Sequence, residues 1–362
     1  MKTLGCTLIL LAALSLNGAQ EGRSGSASEG PGPVSAEASS RGIREDRFVA
    51  IGGIEQWVTI RGDDRANPIV LFLHGGPGNT LTPFADAIYG GWEAEFTLVQ
   101  WDQRGAGRTW GRNPSTEESV LTIQRMTDDG ILLVEYILDH LGKEKLILTG
   151  SSWGSALAVH MIHARPDLFE AYVGVSQLVS KAANQAASYA AVLAVAHENE
   201  DESVLVTLGE IGEPPWRNPR HFGVLRRVTR AYERKKTIPA PSSWWIRSPE
   251  YATEEMKSDY EAGEDFSFLQ FVGFADDGMF TKVDLPAIGA KFTVPIYLIQ
   301  GEEDLVTVPE ITKKYFESLE APAKRIIMVS KAGHDPNAAL IEAQYEMLRG
   351  IRQGPASLGR VE

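Results

Sequence analysis

The sequence predicts an α/β protein: a mostly parallel sheet with helices on both faces, interrupted by an inserted, mainly helical cap. Three observations predict it. Short apolar runs alternate with stretches of helical spacing in two separate parts of the chain. These runs are apolar at successive positions, as in strands covered on both faces. Strand-like runs then stop between Ser176 and Asp284. Taken in order, residues 48–51 and 54–60, joined through Gly52-Gly53, read as a hairpin. Residues 69–73 and 96–101 read as strands. Residues 122–140 are helical by the spacing of Ile123, Met126, Ile131, Val134, Ile137 and Leu141. An apolar run at 145–149 and an amphipathic stretch at 156–163 predict a strand–turn–helix unit, followed by a strand at 171–175. Late strands are expected at 294–301 and 325–329. The predicted core therefore comprises residues 44–175 and 285–352, with the cap at 176–284 and a tail at 353–362.

At 362 residues the chain can hold one large domain plus an insertion, and 43% hydrophobic content gives it a substantial core. Its start has a different character. Met1-Lys2 is a short basic start, Leu4 to Leu16 are mostly apolar, and Asn17-Gly18-Ala19 is a small-residue cleavage region. That is the pattern of a secretory signal peptide, residues 1–19, and a secreted or periplasmic protein is expected. The apolar run is short for a bilayer span, so no stable membrane insertion is expected once it is removed. Cys6 is the only cysteine, which leaves a mature chain with no disulfide or thiolate metal site. Residues 20–43, rich in Gly, Ser, Ala, Pro and Glu through Ser40, read as a disordered linker.

The chemistry centres on Gly150-Ser151-Ser152-Trp153-Gly154, of the form G-x-S-x-G. Between a strand and a helix this motif makes a nucleophile elbow, with Ser152 exposed above the sheet. Ser151 and Ser155 lack glycine at both −2 and +2. A serine nucleophile needs a base, and the base needs an orienting acid; in α/β-hydrolases they follow in the order Ser, Asp or Glu, His. Glu302, Glu303 and Asp304 follow one predicted strand, and His334 follows the next. Both sites lie where open α/β sheets place their ligands. Asp304 is preferred as the acid, because its shorter carboxylate can be buried against the imidazole. No other histidine lies beyond a late strand. Ile69-Val70-Leu71-Phe72-Leu73 runs into His74-Gly75-Gly76-Pro77-Gly78, where glycine lets a bare N–H approach a substrate. The expected oxyanion donors are the N–H groups of Gly76 and Trp153.

His74-Gly75-Gly76-Pro77-Gly78, Asp102-Gln103-Arg104-Gly105-Ala106-Gly107 and Gly150-Ser151-Ser152-Trp153-Gly154-Ser155 resemble three blocks of the proline iminopeptidase family of α/β-hydrolases. Gly301 with Asp304, and Gly333 with His334, resemble that family's acid and base blocks. The resemblance implies a serine hydrolase with Ser152 as nucleophile, Asp304 as orienting acid and His334 as base. It also implies a structural role for Asp102 and Arg104 in shaping the floor of the site. Family members that cut N-terminal proline carry a Trp-x-x-Trp-Glu type segment whose Glu holds the substrate amine. Ser243-Trp244-Trp245-Ile246-Arg247 has the tryptophans without the adjacent acid. Glu213, Asp276 and Asp277 are acids of the cap, read in preference as surface or capping groups.

A net charge of −13 gives no support for nucleic-acid binding. No metal constellation, phosphate loop or dinucleotide fingerprint is present in the sequence, so no cofactor is expected. Arg226, Arg227, Arg230 and Arg234 form a near-helical row, read as a solvated face paired with acids. The cap aromatics Trp216, Phe222, Trp244, Trp245, Phe266, Phe268, Phe271 and Phe274 are expected mainly to pack the cap, with a few lining an apolar pocket. Three functions remain open: an exported aminopeptidase acting on short peptides, an esterase or lactonase for small apolar esters, and a catalytically silent binding protein. The sequence leaves the oligomeric state open.

Overall fold

The structure is a computed structural model and describes residues 41–114 and 120–354. The expected signal peptide, all but the last residues of the expected linker and nearly all of the tail lie outside the described residues. Eight strands form one sheet: β1 (Ile43–Ile51), β2 (Ile54–Gly62), β3 (Ile69–Leu73), β4 (Thr97–Trp101), β5 (Leu146–Ser152), β6 (Phe169–Gln177), β7 (Ile296–Gly301) and β8 (Lys324–Val329). Their order is β1-β2-β4-β3-β5-β6-β7-β8. The β1–β2 and β2–β4 pairs are antiparallel, and every pair from β4 to β8 is parallel. The first strand starts at Ile43, inside the stretch expected to be linker. Ile43 pairs with Gly62 and buries its side chain, which carries the hairpin beyond its expected start.

The helices are α1 (Ala85–Tyr89), α2 (Gly107–Arg112), α3 (Ile123–Leu141), α4 (Trp153–Ala164), α5 (Lys181–Glu198), α6 (Glu202–Ile211), α7 (Pro219–Lys236), α8 (Glu254–Val272), α9 (Leu285–Ile288), α10 (Pro309–Ser318) and α11 (Ala338–Gln353). Strand periodicity divides the core. In β3, Ile69, Leu71 and Leu73 pack on one face while Val70 and Phe72 pack on the other. The first face is covered by α3, α4 and Tyr315 of α10, the second by α1 and α11. Both faces of the central strands are thus dry, which explains their uninterrupted apolar runs. Helix α3 starts where Thr122 accepts the Arg125 N–H and ends at Gly142, whose φ of 63° suits glycine. Helix α4 is not amphipathic as expected. Nine of its residues are buried, because it lies between the sheet and α3 and touches both.

Between β6 and β7 the chain is helical, from α5 to α9. It has a small core of its own around Tyr189, Val192, Leu208, Trp216, Leu225 and Tyr232. Phe266 and Phe271 instead pack against the main core, Phe222 bridges the two, and Trp244 packs against the opposite face. Phe274 departs from the expected packing: it is 74% exposed, in the turn after α8. Helix α8 rests on α2 and on the glycine loops, and a Cβ at Gly78 would stand 2.8 Å from Ser267.

Candidate active site

The carboxyl ends of the parallel strands bring the predicted residues together. Ser152 stands between β5 and α4 with φ 51° and ψ −120°, a strained conformation for a non-glycine residue. The turn is possible because its glycines admit backbone on backbone: a Cβ on Gly154 would run into the Leu73 carbonyl, and one on Gly150 into that of Gly154. Since β3 and β5 are neighbours, the loop after β3 lies against this turn. A Cβ on Gly75 would sit 3.3 Å from that of Ser152. Gly76, Ser152 and Trp153 line one cavity. Trp153 is the first residue of α4, where an N–H has no acceptor within the helix.

β7 and β8 are also neighbours, so the loops following them pack together. A Cβ on Gly301 would meet the Ala332 carbonyl, and Glu303 N–H donates to the same oxygen. His334 Nε2 lies 3.0 Å from Ser152 Oγ, and its Nδ1 lies 3.0 Å from Asp304 Oδ2. Asp304 is buried and accepts from the N–H groups of Val306 and Thr307, the Thr307 hydroxyl and the Gln300 amide. Burial alone would raise this carboxyl, but His334 and these donors outweigh it and hold it below its ordinary range. Glu302 and Glu303 turn elsewhere, to the Ser330 hydroxyl and to Lys236.

The Asp102-Gln103-Arg104 block lies beneath. Asp102 accepts from the Thr80 and Thr82 hydroxyls and the Arg108 N–H. Arg104 pairs with buried Asp129 at 2.7 Å. Gln103 joins the two halves of the site: its amide donates to the His74 carbonyl and accepts from the Trp153 indole. Burial lowers His74 to about 4. The neutral ring sits 2.9 Å from the Gly75 carbonyl through Nδ1 and accepts the Gln103 N–H through Nε2.

The cavity walls also include Leu178, Phe222, Leu225, Phe271 and Phe280, and none of its lining residues is charged. Two carboxylates of the insertion, unnoticed in the sequence, reach the surrounding loops. Glu264 of α8 accepts from the Asn79 amide at 3.0 Å, next to the glycine loop. Glu233 of α7 accepts the N–H groups of Leu305 and His334. Asp276 pairs with Lys181, and Asp277 caps the Phe274 turn. Arg226 and Arg230 pair with Asp335, so that part of the arginine row is held by the loop bearing His334. Among the described residues, no cluster of three His, Cys, Asp or Glu stands ready for a metal ion.

This geometry coincides with a family-wide match. The family model described as serine aminopeptidase, S33, matches residues 64–337. The chain belongs to family S33. A probable aminopeptidase of Bacillus subtilis, YbaC, is 33% identical over 304 residues, covering 80% of this chain and 90% of that protein. A probable proline iminopeptidase of Streptomyces coelicolor is 26% identical over 325 residues, 83% of this chain and 94% of its own. The crystal structure of proline iminopeptidase from Mycobacterium smegmatis superposes with a TM-score of 0.57 at 18% identity, over 85% of this chain and 96% of that one, a likeness of fold. This S33 member is thus a serine hydrolase with the α/β-hydrolase fold. Among its described residues no helix is long and apolar enough to cross a membrane.

Proposed function

We propose that this S33 enzyme is an exported aminopeptidase releasing N-terminal residues from short peptides. In this reading His334 takes the Ser152 proton as Oγ attacks the peptide carbonyl, and Asp304 holds the imidazole in the productive tautomer. The N–H groups of Gly76 and Trp153 receive the oxyanion. His334 then protonates the leaving amine, and water releases the acyl group by the same route.

The observation carrying the choice of peptide is Glu264. An aminopeptidase must hold an ammonium near the nucleophile; Glu264, outside the lining of the Ser152 cavity, is a carboxylate of the insertion bound to Asn79, three residues past Gly76. Only one of its oxygens has a hydrogen bond among the described residues, to Asn79. Glu264→Gln is expected to raise KM for alanyl or prolyl p-nitroanilide about 10- to 100-fold, the range of a charged hydrogen bond. Hydrolysis of p-nitrophenyl butyrate should stay unchanged. N-acetylated anilides should be poor substrates; equal cleavage of free and acetylated forms would refute the aminopeptidase. The uncharged cavity favours a second reading, a carboxylesterase or lactonase for small apolar esters. Ester cleavage without anilide cleavage would select it.

Export is supported by the order of basic start, apolar run and small residues in the first 19 positions. Expression of the full chain in a secreting host should yield a product whose N-terminal residue is Gln20. An intact Met1 on the exported product would refute cleavage.

A further inference from the structure

We propose that Glu233 is a positioning residue of the Ser152–His334–Asp304 triad, tying the acid loop, the base loop and helix α7 into one unit. The inference rests on the assignment of those three residues as the triad.

Glu233 is 4% exposed and belongs to the insertion, yet both its oxygens face the core loops. Oε1 accepts the Leu305 N–H at 2.9 Å, one residue after the acid. Oε2 accepts the N–H of the base itself, His334, at 3.2 Å. The fit is close: a Cβ at Gly333 would stand 2.8 Å from Glu233 Oε2. The same helix holds the base loop at other points. Arg226 and Arg230 reach Asp335, and just past the helix Ile238 N–H donates to Lys331 O. Asn337 closes this seam by donating to the carbonyls of both Ile238 and Lys331. A carboxylate with both oxygens so occupied is better placed to fix the imidazole than to receive a substrate ammonium. A displacement of about 1 Å in such a site can cost a hundredfold in rate.

The electrostatics support this role. Glu233 is raised from 4.5 to about 7, first by burial and then by the charge of Asp304, with His334 and Arg226 opposing. The charged groups around it are Asp304 on the acid loop, His334 and Asp335 on the base loop, and Arg226, Arg230 and Lys236 on its own helix. The sign follows from linkage. The native state holds this proton more tightly than the unfolded chain, so rising pH between 4.5 and about 7 lowers stability through this group. Ionisation meanwhile strengthens both hydrogen bonds to the loops and favours the imidazolium. Reactivity at Ser152 should therefore rise with pH through a step near 7.

The test is the second-order rate constant for phosphonylation of Ser152 by a fluorophosphonate, measured from pH 5 to 9. This probe has no amine, and its reaction does not depend on the natural substrate. Glu233→Gln should slow phosphonylation about 10- to 100-fold and change the shape of the pH profile. With p-nitrophenyl butyrate, kcat should fall with KM within about twofold. Gly333→Ala, which pushes the carboxylate aside without removing it, should lower both rates in the same way, and it carries the test if Glu233→Gln does not fold. Unchanged phosphonylation and an unchanged pH profile would overturn the proposal. So would a loss confined to free-amine substrates, which would make Glu233 an ammonium ligand. Failure of the wild-type enzyme to cleave any aminoacyl anilide would refute the aminopeptidase reading and leave this result intact.

Discussion

Ser152→Ala is expected to lower turnover about a millionfold, as removal of a serine nucleophile does elsewhere. Residual catalysis of about a thousandfold over water should persist through the Gly76 and Trp153 N–H groups. The neighbouring serines offer no substitute. Ser155 Oγ donates to the Ser152 carbonyl and accepts the Leu178 N–H, so both of its functions are already engaged. Ser152 alone of the three has an imidazole nitrogen at 3.0 Å among the described residues. Turnover and intact-mass detection of the fluorophosphonate adduct together check the result. A labelled, active Ser152→Ala protein would remove Ser152 from the mechanism.

Asp304→Asn is expected to reduce kcat about ten-thousandfold while KM changes little. The reason lies in the donors around the carboxylate. Oδ1 accepts two backbone N–H groups, Val306 and Thr307, which can only donate. The asparagine oxygen must take that place, leaving its NH₂ where Oδ2 faced His334 Nδ1. The ring is then forced to accept at Nδ1 and to carry its proton on Nε2, the nitrogen that should receive the proton of Ser152. The amide would also oppose the Gln300 NH₂, now 3.0 Å from Oδ2. A lower melting temperature should therefore accompany the kinetic loss. Steady-state kinetics beside a thermal melt separates the two effects. A variant retaining more than about a tenth of wild-type kcat would contradict the tautomer mechanism.

The sheet and the loops at its strand ends were legible because backbone constraints write themselves into local sequence. Gly150, Gly154 and Gly301 stand where a Cβ would meet a neighbouring carbonyl, and such glycines flank the positions of Ser152 and Asp304. His334 is identified by following a strand. Glu233 and Glu264 left no comparable mark. Each is one acid on a helix rich in charge, and its proximity to the loops depends on how that helix docks. The arginine row around Glu233 was visible, but its pairing with Asp335 depends on that same docking. Helix α4 was misjudged for a related reason. Periodicity reports a difference between two faces, and a helix enclosed by the sheet and α3 has little such difference.

The seam between Ile238 and Lys331, closed by Asn337, bears on how relatives can exchange parts. An insertion joined to the core only at its two chain crossings would be a replaceable module. Here Ile238, after α7, donates its N–H to Lys331 and accepts the Asn337 amide, both on the loop carrying His334. A chimera made by cutting at the ends of β6 and β7 would inherit a foreign edge against that loop. A graft of the insertion should therefore keep its chemistry better when residues 331–337, and the loops that meet α8 around Asn79 and Gly105, travel with it.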